Sequence, residues 1–94
     1  MNRDQFVEKM KAQLDELNQE VDELEVKYRA AEDSVKQKYQ EQMDEARAQR
    51  DRAEAKLMEL RGAGENAWEE LKDDAEDTWK AFKNSVNYFK SHFK

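Results

Sequence analysis

From Val7 to Val35 the apolar positions are Val7, Met10, Leu14, Leu17, Val21, Leu24, Tyr28, Ala31 and Val35, in alternating steps of three and four. That spacing places one narrow apolar seam on a helix. Sustained over about four heptads, it predicts a coiled-coil seam rather than a broad globular face. The step then changes. Val35 to Tyr39 and Tyr39 to Met43 are both four, before Ala46 restores three. Such a stutter locally unwinds a left-handed supercoil. The seam resumes more thinly as Ala46, Arg50, Ala53, Leu57 and Leu60. Nothing between residues 30 and 50 looks like a turn, so the pattern predicts one helix over 3–61, about 88 Å long at the α-helical rise. Asn2 is placed to cap it, with Gln5 at the capping-box position.

Both glycines stand together in Arg61-Gly62-Ala63-Gly64-Glu65-Asn66. A helix through them would lose about 2 kcal/mol relative to alanine. Gly62 suits the left-handed residue that ends a helix, and Asn66 with Glu69 suits the next capping box. A turn over 62–65 and a second helix over 66–93 follow; a kinked continuous helix is the alternative. The second helix carries the stripe Trp68, Leu71, Ala75, Trp79, Phe82, Val86, Phe89 and Phe93. Acids crowd its first half, while lysines without acids occupy its last half, which complements the helix dipole. The expected fold is all-α: a single helical domain, 1–94, in which a long coiled-coil helix and a shorter amphipathic helix form an antiparallel helical hairpin.

Composition narrows the chemistry. The 94 residues include no cysteine and no proline, and 43% are charged. Disulfides, thiolate metal sites and thiol redox chemistry are excluded. The mean hydropathy of -1.31 would also suit a disordered chain, but such chains are rich in Pro, Gly and Ser, and they need no apolar periodicity. The polar opening Met1-Asn2-Arg3-Asp4-Gln5 has no apolar run behind it, so no secretory signal is read there. No segment approaches a membrane span. Cytoplasmic residence is the expectation. A formal charge of -6 disfavours nucleic acid, which needs a basic face.

Charge also bears on assembly. Residues 1–35 carry five basic and ten acidic side chains, and residues 36–61 carry seven and six. Like-charge juxtaposition opposes a parallel pairing. In a hairpin the second helix covers only the C-terminal half of the first and leaves bare the seam from Val7 to Val35. An exposed stripe of that length calls for a partner. An antiparallel homodimer supplies one, and a tetramer would also cover the seams.

Residues able to do chemistry are few. His92 is the only histidine, with no second imidazole or thiol to join it on a metal. Ser34, Ser85 and Ser91 have only His92 as a base. Glu69-Glu70 and Asp73-Asp74 suit a solvated first turn better than acid–base work, and no phosphate-cradling glycine loop exists. No enzyme activity, cofactor or metal is expected. The expected function is that of a coiled-coil interaction or scaffold protein, self-associating through the seam and binding a further, unidentified protein partner. The alternative is a peripheral membrane protein, because aromatics beside lysines suit an interfacial helix. The acidic first half of the aromatic helix would be repelled by anionic lipid.

Three stretches carry a resemblance: Arg3-Asp4-Gln5-Phe6-Val7-Glu8-Lys9-Met10-Lys11, Leu14-Asp15-Glu16-Leu17-Asn18, and Ala63-Gly64-Glu65-Asn66-Ala67-Trp68-Glu69-Glu70-Leu71-Lys72. They resemble a family of small bacterial coiled-coil stress-response proteins, with cyanobacterial members, one linked to light stress, and proteobacterial relatives. The likeness spans nearly the whole chain. It implies a helical, non-enzymatic protein connected with stress and carries over no catalytic residues.

Overall fold

A computed structural model describes residues 2–64 and 66–93. The described residues form three helices and no strand: α1 over Arg3–Ala30, α2 over Asp33–Gly62 and α3 over Trp68–His92. The single helix expected over 3–61 is interrupted at Ala31 and Glu32, and the two-helix hairpin becomes an up-down-up bundle. Its long dimension is 50 Å and its cross-section 18 × 18 Å, too short for an unbroken 88 Å helix. The α1–α2 reversal brings Glu25 onto Arg47 and Asn18 onto Glu54. The α2–α3 reversal brings Lys56 onto Asp74 and Tyr39 onto Phe89 and Phe93. Helices α1 and α3 therefore run parallel, with Phe6 against Trp68 at one end and Tyr28 against Phe93 at the other.

Burial explains the break. Folding back covers Phe6, Val7, Met10, Leu14, Leu17, Val21 and Leu24. At about 1.5–3 kcal/mol for each large apolar side chain, this outweighs the few backbone bonds lost at a two-residue turn, each worth about 0.5–1.5 kcal/mol net. The middle helix must face both neighbours, so its buried face is Met43, Ala46, Gln49, Ala53, Leu57 and Leu60. Gln49, not Arg50, takes the core-facing place, and its amide donates to Glu45 Oε1 at 2.7 Å. Arg50 is only partly exposed, with its guanidinium beside Asp51.

The caps divide. Asn2 caps α1 as expected: the Gln5 N–H donates to Asn2 Oδ1 at 2.9 Å and the Asn2 N–H to Gln5 Oε1 at 3.1 Å. At the second turn neither glycine has a positive φ. Gly62 closes α2 in helical geometry, and extended Ala63 ends it, with its N–H on Leu60 O at 3.3 Å. Asn66 does not cap α3. The Ala67 and Trp68 N–H groups both turn back to Gly64 O at 3.1 Å, and Ala67 holds the cap position without a side-chain bond. Helix α3 thus begins two residues later than 66 and ends one before 93. Glu65, assigned to the turn, lies outside the described residues.

Candidate functional site

The two surfaces that the sequence offers for binding are joined to each other. Of the seam, Val7, Met10, Leu14, Leu17, Val21 and Leu24 are buried, and Tyr28 and Val35 are partly buried against the same cluster. Of the aromatic face, Trp68, Phe82, Val86, Phe89 and Phe93 are buried in that cluster, with Leu71 and Trp79 at its margin. The seam is therefore not bare in a single chain: α2 and α3 cover it. Its exposure was the reason for expecting a partner, and the extra reversal at Ala31–Glu32 removes that reason for the folded single chain.

Geometry concentrates at the α1–α2 reversal. Ala31 (φ -74°, ψ 159°) and Glu32 (φ -65°, ψ 154°) are consecutive extended residues. The Ala31 N–H donates to Tyr28 O at 3.2 Å, and Glu32 O accepts from the Val35 and Lys36 N–H groups, both at 3.0 Å. Glu32 is exposed and makes no side-chain cap. Above the turn lies an aromatic cluster. Tyr39 stands edge-on to Phe93 at 5.3 Å, and Phe89 stacks on Phe93 at 5.0 Å. Both phenols reach backbone carbonyls: the Tyr28 hydroxyl donates to Lys36 O at 3.2 Å and the Tyr39 hydroxyl to His92 O at 2.6 Å. Each tyrosine thus keeps an apolar body inside and a polar tip at the edge.

Ion pairs stitch the helices. The Arg47 Nε donates to Glu25 Oε1 at 2.6 Å, and this bond, more than the surrounding guanidinium charges, holds the Glu25 carboxyl below its ordinary range. On the other side, the Asp74 carboxylate at 2.6 Å pushes the Lys56 ammonium up. Lys90 joins α3 to Glu20 of α1 at 3.1 Å, and Arg3 donates to Ala63 O at the far end.

The residues weighed for chemistry are scattered. The His92 ring stacks on Tyr88 at 4.1 Å, and its Nδ1 donates to Tyr88 O at 2.8 Å. Ser85 lines an open depression with Glu41, Gln42, Glu45, Asn84 and Tyr88, but His92 is not among that lining. Glu69, Glu70 and Asp73 are exposed, while Asp74 is engaged by Lys56. Among the described residues no group of His, Asp or Glu is arranged to hold a metal ion.

No family model, no curated protein and no solved structure matches this chain.

Pattern reading missed two surface features. One is a groove of about 170 Å³ between α1 and α3, bounded by Phe6, Met10, Lys9, Trp79 and Lys80. Trp79 is half-buried there rather than anchored in the core like Trp68. The other is a trio of exposed large apolar side chains, Val26 at 68%, Met58 at 71% and Tyr88 at 51%. Heptad position could have flagged Val26 and Met58, which stand off the seam. No helix among the described residues is long and apolar enough to cross a membrane.

Proposed function

We propose that this chain is a non-enzymatic helical interaction module that works by pairing helices in the cytoplasm, and that it acts in a stress context, as the family resemblance implies. What supports this reading is the heptad spacing from Val7 to Val35, which suits helix pairing. In the single chain α2 and α3 already occupy that seam, so a partner helix reaches it only where α1 leaves its own bundle. The competing reading is lipid binding through the aromatic face. The full burial of Phe82, Val86 and Phe89 favours protein packing, since lipid would have to pull α3 out of the bundle.

Two measurements test the reading. In flotation with anionic vesicles the chain should stay in the protein fraction, and tryptophan emission should be blue-shifted before lipid is added and unchanged afterwards. Association with floating vesicles, with an emission shift only then, gives first place to the membrane reading. Photo-crosslinkers on α1 should trap a helical protein or a second copy in stressed cells. Labelling at no greater yield than on a Leu17→Asp/Leu24→Asp chain would refute the interaction reading.

A further inference from the structure

The α1–α2 reversal is made of residues that favour what it interrupts. Ala30, Ala31 and Glu32 are strong helix formers. No residue in the turn has a positive φ, and the Glu32 side chain makes no capping bond. The turn is drawn out of the helix by burial of α1, not by its own chemistry. The seam residues Tyr28, Ala31 and Val35 keep heptad spacing straight across it. Charge agrees with this. The acidic 1–35 half already faces the neutral-to-basic 36–61 half through Glu25 and Arg47, and that antiparallel pairing is the same whether the two halves belong to one chain or to two.

We infer that the chain dimerises by exchanging α1: Ala31 and Glu32 enter the helix, α1 and α2 become one rod, and α1 of each copy packs on α2 and α3 of the other. The exchange remakes every buried contact of α1 and adds the helical hydrogen bonds that the turn forgoes. Concentration alone then selects the form, since a closed chain avoids the entropy of association. Domain swapping about a short helical hinge is a low-cost route of this kind. The inference deepens the interaction-module reading by naming a second copy of this chain as the helix partner.

The hinge dihedrals supply a selective test. Glu32 has φ -65°, its N–H has no hydrogen-bond partner among the described residues, and the residue before it is extended. Proline meets all three conditions in the closed form, but it cannot sit in the middle of a straight rod. Wild-type chain refolded at high concentration should sediment as a two-chain species. Glu32→Pro, refolded identically, should sediment as one chain with undiminished helical circular dichroism, its association weakened by at least about a hundredfold. The cysteine-free sequence allows a second test without a hinge variant. Asn18→Cys and Glu54→Cys placed on separate chains should form an 18–54 disulfide between chains after mixed refolding: the two positions meet within one chain in the closed form, and two singly substituted chains reproduce that contact only when α1 of one copy lies on α2 of the other. A wild type that remains a single chain, a Glu32→Pro chain that still dimerises, or the absence of the 18–54 crosslink would each overturn the exchange. The interaction-module reading would then still be judged by the flotation and crosslinking results.

Discussion

Phe82 lies at the centre of α3 with no exposed surface, whereas Trp79, one turn earlier, borders the groove beside α1. The two should differ sharply. Phe82→Ala should cost about 3–5 kcal/mol, a large share of what a domain of this size holds. Trp79→Ala should cost clearly less, and urea denaturation of the two variants checks the order. Gly62 offers the opposite case. It ends α2 in helical geometry, and a Cβ added there meets nothing within 4 Å. Gly62→Ala should therefore stabilise by about 0.4–1 kcal/mol, which thermal melting would register as a rise of a few degrees. The glycine pair lies at the end of α2, but Gly62 is helical rather than left-handed, and the extended residue that ends the helix is Ala63.

At the scale of elements, the beginning of α1 and its last turns are held differently. The reciprocal Asn2–Gln5 cap satisfies backbone donors that the helix leaves free, so Asn2→Ala should cost about 1 kcal/mol by chemical denaturation. Near the hinge, Glu25 binds α1 to Arg47 of α2. The folded carboxyl is held below its ordinary value of 4.5, so the pair's contribution is complete above that value and is lost as pH falls through the lower, folded one. Both side chains retain solvent contact, which limits the effect to about 1 kcal/mol or less. Stability profiles of wild type and Glu25→Gln should converge at low pH and separate above it.

For the whole molecule, length distinguishes the closed and exchanged forms. The closed chain measures 50 Å with a radius of gyration of 15.0 Å. A rod of residues 3–62 would reach about 90 Å at 1.5 Å per residue. Small-angle scattering of the two-chain fraction should show the longer dimension, and Glu32→Pro should retain the shorter.

Helix content, the seam, the aromatic stripe and the second reversal were legible in the sequence because each depends on local properties: the 3.6-residue period, a missing proline, a pair of glycines. Val7 to Leu24 and Trp68 to Phe93 were identified as apolar faces, and both lie in the core. The reversal at Ala31–Glu32 is weakly marked in the sequence: Ala-Ala-Glu carries no turn chemistry, and the local signs are Asp33-Ser34 at the start of α2 and the stutter at Val35, Tyr39 and Met43, which shifts the phase of the seam. Whether α1 continues as a rod or folds back depends on what is available to cover it. That is a tertiary property: an apolar face on one helix does not specify which helix will cover it, and here α2 and α3 of the same chain reach it first.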